Sequence, residues 1–163
     1  MQPERVAREV ANWLGGRIPA GWFAAPPEVL VDGEEILVVG TLPDDPATDP
    51  EEAAVRFREE TREQRIRLAT ELQRRWRRKV SWGVACGGER LLFTTLSVPV
   101  MTRLRMPERR VLDTLIDAGV ARSRSDALAW CVRLVGRHQS DWIRELQDAL
   151  VAVRRVRAQG PDA

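Results

Sequence analysis

The segment from Val100 to Val135 constrains the fold more than any other part of the chain. Its first seven residues alternate in character, which predicts a short β-strand with two different faces. One face carries Val100, Thr102, Leu104 and Met106, and the other carries Met101, Arg103 and Arg105. A lone strand with an apolar face is not stable in water. The strand therefore needs a partner, and the same strand of a second copy would supply one.

Two short helices are predicted after this strand. Pro107 suits the first position of a helix, and Gly119 suits its C-terminal cap. Ser123 and Asp126 then follow the capping-box pattern, in which a hydroxyl precedes an acid by three residues at a helix start. The expected buried positions are Val111, Leu112, Leu115 and Ile116 in the first helix and Leu128, Cys131, Val132 and Val135 in the second.

This order of strand, Pro-Glu, helix, Gly, Ser-Arg-Ser-acid and helix resembles the ribbon-helix-helix family, the DNA-binding modules of the CopG, Arc and MetJ type. The resemblance implies a homodimer that inserts two paired strands into the major groove of double-stranded DNA. By position, Met101, Arg103 and Arg105 would read bases, while Ser123 and Ser125 would lie at the phosphate-gripping helix start. The implied function is a sequence-specific transcriptional regulator, acting as a repressor.

The chemistry of these residues is compatible with that role. A two-stranded ribbon fits the major groove, where arginine can bind guanine O6 and N7 together. The free amides at the start of the second helix can hold a phosphate, and Arg122 and Arg124 place positive charge beside it. The alternative is an ordinary strand and helical hairpin of a larger core, with its arginines facing water.

The rest of the chain predicts an α+β fold with a boundary at Ser97-Val98-Pro99, where proline interrupts strand pairing. Residues 1–97 are predicted to form a module of two helix-hairpin units sharing one four-stranded sheet, with a regulatory or assembly role. Its hairpins turn at Asp32-Gly33 and Gly87-Gly88. The intervening helix is expected to start after the Asp49 cap and to reach about Lys79.

Further predictions refine both modules. The long helix should carry an apolar stripe of Ile66, Leu68, Ala69, Leu72 and Trp76. The strand after the second turn should span Glu89 to Leu96. Trp13, Trp22 and Phe23 should either line an apolar pocket or pack in the core. Residues 98–163 hold the ribbon-helix-helix module and one more helix after Ser140, whose apolar face is Trp142, Ile143, Leu146, Leu150 and Val153.

Charge is distributed unevenly although the net charge is only +2. Residues 1–55 carry eleven acidic and three basic side chains, whereas residues 98–163 carry eight acidic and twelve basic ones. Such a chain can bind a polyanion with its C-terminal part. All basic residues except Lys79 are arginine, which suits guanine and phosphate contacts but is equally typical of a GC-rich genome.

No catalytic or metal-binding constellation is evident, so we expect neither an enzyme nor a cofactor. His138 is the only histidine and has no cysteine pair near it. Cys86 and Cys131 are too few for a disulfide framework, which favours a reducing cytoplasm. No membrane span or secretory signal is evident. We therefore expect a cytoplasmic, nucleoid-associated bacterial protein.

Two other functions remain open at this stage. The ribbon-helix-helix module could serve mainly to dimerise an adaptor or antitoxin-type protein, whose N-terminal module would bind a protein partner. The basic run Arg74-Arg-Trp-Arg-Arg-Lys79 could instead contact RNA, although arginines at a helix C-terminus also complement its dipole.

Overall fold

The computed structural model describes residues 3–43, 45 and 48–159, and it shows an α+β protein. The chain divides into two compact units, the first ending at Val100 and the second starting at Met101. The sequence placed this boundary three residues earlier. None of the helices in the described part of the chain has the length and apolar content needed to cross a membrane.

The first unit contains a four-stranded sheet and three helices among its described residues. The helices are α1 (Pro3–Gly15), α2 (Pro50–Glu60) and α3 (Arg62–Trp76). The strands are β1 (Glu28–Val31), β2 (Glu35–Thr41), β3 (Lys79–Cys86) and β4 (Glu89–Leu92). They lie in the order β1-β2-β3-β4, with a parallel pair at the centre and an antiparallel hairpin on each side.

This topology fits the two predicted helix-hairpin units. At the first turn the Asp32 carboxylate accepts hydrogen bonds from the backbone amides of Glu34 and Glu35, at 2.9 and 2.7 Å. At the second turn Gly87 and Gly88 both have positive φ, which the hairpin requires and glycine tolerates. Strand β4 ends at Leu92 rather than Leu96. Beyond it, the amide of Phe93 donates to the carbonyl of Trp82, and the Thr94 hydroxyl then accepts from the amide of Trp82.

The main core lies between one face of the sheet and helices α1 and α3. Its central side chains are almost completely buried, and they come from one face each of α1 and α3 and from strands β2 and β3. They are Val6, Val10, Leu14, Ile36, Val38, Leu68, Leu72, Trp76 and Trp82. Trp22 and Phe23 pack against this core, and the Phe23 ring occupies the space that a Cβ on Gly40 would fill. They therefore serve as packing residues.

The prediction of one long helix after Asp49 is wrong, because the structure has two helices that meet at Thr61. The Thr61 hydroxyl donates to the carbonyl of Phe57, a side-chain bond that competes with regular helix geometry. The buried Arg65 guanidinium donates to the Thr61 hydroxyl and to the carbonyl of Arg58 at the end of α2. Burial, with Arg58 and Arg62 nearby, lowers the pKa of Arg65. This side chain thus stabilises the break.

Two further details of this region differ from the sequence prediction. Ile66 was predicted on the apolar stripe, yet it is 48% exposed. It follows the buried Arg65 by one residue and so lies about 100° around α3 from the side that is buried. Helix α3 also ends at Trp76, since Arg77 adopts a left-handed conformation with φ of 54°. Asp49 caps α2 as predicted, accepting from the amides of Glu51 and Glu52.

The second unit is helical among its described residues. It contains α4 (Met106–Asp117), α5 (Arg124–His138) and α6 (Ser140–Gln159). Its core consists of Leu112, Ala121 and Ala127, with Leu104, Leu115, Ile116, Leu128 and Cys131 packed partly against them. The predicted core residues Val111, Val132 and Val135 are instead exposed in the single chain.

Candidate nucleic-acid interface

The predicted ribbon strand is an extended segment without a strand partner in the described part of the chain. Residues 100–105 carry no regular secondary structure, and the backbone of Arg105 is extended, with φ of −81° and ψ of 175°. Met106, predicted as the last strand residue, is already the first residue of α4. The helix starts here because Pro107 fits its first turn. The segment therefore remains available for pairing with a strand from another chain.

One side chain holds this segment against the helices. Leu104 is half-buried and packs on the Leu112 cluster. Its carbonyl accepts a hydrogen bond of 2.8 Å from the Arg109 guanidinium, and the Arg109 amide donates to the carbonyl of Arg105 at 3.1 Å. These bonds link the extended segment to the first turn of α4.

The three side chains predicted to read bases all face solvent. Met101 is 92% exposed, and Arg103 and Arg105 are exposed on either side of the inward-facing Leu104. Val100 and Thr102, predicted to share the inner face with Leu104, are exposed as well. An inner face without cover is the arrangement that a missing second strand would leave.

The turn between α4 and α5 is fixed by backbone geometry. Gly119 has φ of +73°, its amide donates to the carbonyl of Ile116, and the amide of Val120 donates to that of Leu115, both at 2.9 Å. These two bonds form a Schellman motif, which satisfies the last carbonyls of α4. Ala121 is buried directly after the turn. The predicted helix stop at Gly119 is confirmed.

The start of α5 is capped as expected, with one difference. The Ser123 hydroxyl accepts from the amide of Asp126 at 3.2 Å. The Asp126 carboxylate accepts from the amide of Arg122 at 3.0 Å, one residue before the cap, whereas a regular capping box would use the amide of Ser123. Arg122, Ser123 and Ser125 are all exposed at this helix start, where backbone amides and the helix dipole attract anions.

Arg124 has an intramolecular partner that the sequence did not reveal. Its guanidinium donates two hydrogen bonds to the Asp113 carboxylate, at 2.7 and 2.8 Å. This bidentate pair holds the pKa of Asp113 below its usual value and raises the pKa of Arg124. The pair ties the start of α5 to the middle of α4. Arg124 therefore acts here as a positioning residue, and a phosphate would have to compete with Asp113 for it.

Several residues of the basic run at positions 74–79 make contacts that stabilise the first unit. Trp76 is buried in the main core, as predicted, and Arg75 lies over its ring at 5.0 Å. Arg78 donates to the carbonyl of Asp32 at 2.6 Å and so fastens the first hairpin turn. Only Arg74 and Arg77, with Thr70 and Gln73, line a shallow open depression. Among the described residues no group of His, Cys, Asp or Glu is arranged to hold a metal ion.

Two family models match the chain, and together they follow its two units. Residues 8–92 match the Rv1265-like protein N-terminal domain, and residues 105–157 match the Mb1296 C-terminal domain. The chain belongs to the Rv1265-like family. Neither model is described as a ribbon-helix-helix module, so that resemblance stays a prediction.

Two relatives of the chain come from mycobacteria. Rv1265 of Mycobacterium tuberculosis and Mb1296 of Mycobacterium bovis, both described as uncharacterized proteins, are each 56% identical to the chain over 167 residues. The alignment covers 99% of this chain and 73% of each relative. No solved structure matches the chain significantly.

Proposed function

We propose that this protein is a homodimeric, sequence-specific double-stranded DNA-binding regulator, acting as a repressor. The observation that carries the proposal is the extended segment before α4. Arg103 and Arg105 face solvent there while Leu104 between them is held against the helical core. Two such segments paired antiparallel would present four arginines on one ribbon, and a two-stranded ribbon fits the major groove.

Exposed apolar side chains on the second unit support the proposed pairing with a second copy of the chain. Val111, Val132 and Val135, on the two helices after the segment, are 47–65% exposed. Large exposed apolar patches mark interaction surfaces, and these valines would belong to one such surface. In the proposed dimer these side chains and the inner faces of the ribbons form one shared core.

The start of α5 supports the DNA-backbone part of the proposal. Arg122 and the exposed residues Ser123 and Ser125 form a corner at the positive end of the α5 dipole, where the Asp126 carboxylate already holds the Arg122 amide. A phosphate bound there would fix the register of the ribbon without reading sequence. Arg124 contributes by orienting this corner through Asp113.

The test is selection of bound sequences from random duplex DNA by the full chain. The variants Arg103→Ala and Arg105→Ala should each weaken binding to the selected site by roughly 5- to 150-fold and relax its sequence, because a bidentate guanine contact is worth about 1–3 kcal/mol. Arg133→Ala is the matched control, since Arg133 is exposed on α5. Binding to the selected site should also fall steeply with salt.

Three outcomes would contradict the proposal. The ribbon is not the reader if both arginine variants keep the affinity and sequence preference of the parent protein. Absence of DNA binding at low salt, with self-association retained, would favour a dimeric adaptor whose first unit binds a protein. Stronger competition by RNA than by duplex DNA would favour an RNA-binding role.

A further inference from the structure

No side chain of helix α6 is buried in the described part of the chain. It runs over 20 residues, Ser140–Gln159, and is therefore about 30 Å long. An α-helix without tertiary packing is marginally stable in water even when its sequence favours it. Its apolar residues include Trp142, Leu146, Leu150, Val153 and Val156, each between 44% and 62% exposed.

These apolar residues lie on one side of the helix. Their spacing of three or four residues aligns them in a continuous stripe, which also includes the half-buried Ile143. Val151 is the exception, because its position places it on the opposite side. The α6 stripe is thus a surface that lacks a partner in the described part of the chain.

The charges of α6 change sign along its length. The first half carries three carboxylates, Asp141, Glu145 and Asp148, and one arginine, Arg144, which is paired with Asp141. The second half carries three arginines and no carboxylate. A second α6 placed antiparallel would bring acidic halves against basic halves, whereas a parallel one would bring like charges together.

We infer that α6 is a self-association surface, on which the stripe packs antiparallel against α6 of a second copy of this chain. Charge complementarity favours this occupant and this direction. Two such stripes together would bury on the order of 1,000 Å², which is the size of a small, weak protein interface. Leu146, Leu150 and Val153 would lie at the centre of the contact.

This contact is separate from the proposed DNA-binding ribbon and does not depend on it. If the two contacts are made with different copies, the chain forms assemblies larger than a dimer, in which ribbons from different pairs can engage one DNA molecule. Self-association measured without DNA tests the α6 contact alone. Loss of DNA binding would therefore leave this inference intact, and failure of the α6 contact would leave the ribbon intact.

The sharpest test compares two valines on opposite sides of α6 in the full chain. Val153→Glu places a carboxylate in the stripe, and Val151→Glu places the same carboxylate outside it; the parent side chains are 52% and 45% exposed. Sedimentation velocity over a range of concentrations should show that Val153→Glu raises the dissociation constant of one association step by about tenfold or more. Val151→Glu should match the parent protein.

The direction of packing is tested with Arg157→Glu, because Arg157 lies seven residues after Leu150 and therefore on the stripe side of α6. In an antiparallel pair this variant replaces attraction by repulsion and should weaken association, most strongly at low salt. In a parallel pair like charges already face each other, and the variant would change little. Because Arg157 also complements the helix dipole, circular dichroism is used to confirm that α6 remains helical.

Equal association of Val153→Glu and Val151→Glu would overturn the inference. A parent protein that stays monomeric at every concentration would overturn it as well. Weakening by Val153→Glu without any effect of Arg157→Glu would overturn the antiparallel direction.

Discussion

The two units differ in how completely each covers its own apolar side chains. In the first unit, two helices close over one face of the sheet and bury side chains such as Val10, Val38 and Leu72 completely. In the second, only Leu112, Ala121 and Ala127 are buried among the described residues. Among the residues that the structure describes, the larger unit leaves six large apolar side chains exposed and the smaller one leaves twelve.

This difference has a thermodynamic meaning. A unit that closes its own core derives its stability from intramolecular burial, so its stability is independent of protein concentration. A unit that leaves a wide apolar surface open gains stability when a second copy covers that surface, and this gain rises with concentration. We therefore expect the first unit to act as a self-sufficient platform and the second as the assembling part.

The largest expected effect is in the first unit. Leu72→Ala should lower the free energy of unfolding by about 2–5 kcal/mol, because the side chain is fully buried and leaves a cavity. Ile66→Ala on the same helix should cost much less, since Ile66 is 48% exposed. Urea denaturation monitored by tryptophan fluorescence measures both. Equal costs would show that the core of this unit is not where the structure places it.

The next effect contrasts two exposed valines, one in each unit. Val132→Glu in α5 should weaken self-association by about tenfold or more, because it puts a charge into the surface that we expect a second copy to cover. Val55→Glu in α2 should leave association unchanged, although Val55 is 50% exposed. Sedimentation equilibrium compares the two variants. If both variants weaken association, or if neither does, the two units do not differ in self-association as we expect.

A smaller effect is expected at the start of α5. Ser123→Ala removes the side-chain cap of the Asp126 amide and should destabilise the second unit by about 1 kcal/mol. Ser125→Ala, two residues later and equally exposed, is the control and should be nearly neutral. Hydrogen exchange of α5 amides distinguishes them, with faster exchange expected for Ser123→Ala alone. The cap is not a stability determinant if the two variants exchange alike.

Features set by neighbouring residues were predictable from the sequence. The Asp32 turn, the Asp49 and Ser123 caps and the stop at Gly119 each depend on the backbone preference or hydrogen bonding of a few adjacent side chains. The strand and helix faces of the first core followed from periodicity, which is the strongest local signal. These features account for most of the helix and strand boundaries.

Features that depend on distant contacts were not predictable. The break at Thr61 is held by Arg65, whose guanidinium reaches back to α2, and nothing in the local pattern distinguishes this from a continuous helix. The pairing of Arg124 with Asp113 joins residues on two helices that meet only after the Gly119 turn forms. The apolar faces of Val111 and Val132 were predicted as core, and a core that spans two chains gives the same pattern as a core within one.

The smallest effect concerns the Asp113–Arg124 pair, and its sign follows from the pKa shift. Because the pair lowers the pKa of Asp113 in the folded state, its stabilising contribution is present above the ordinary aspartate pKa and is lost as pH falls through the lowered value. Asp113→Asn should remove this acid-side dependence and change little else, since both side chains are about half exposed and screened by salt. Asp117→Asn, in the same helix, is the control. Thermal unfolding at several pH values measures the effect, and an unchanged acid limb in Asp113→Asn would show that the pair contributes no pH-dependent stability.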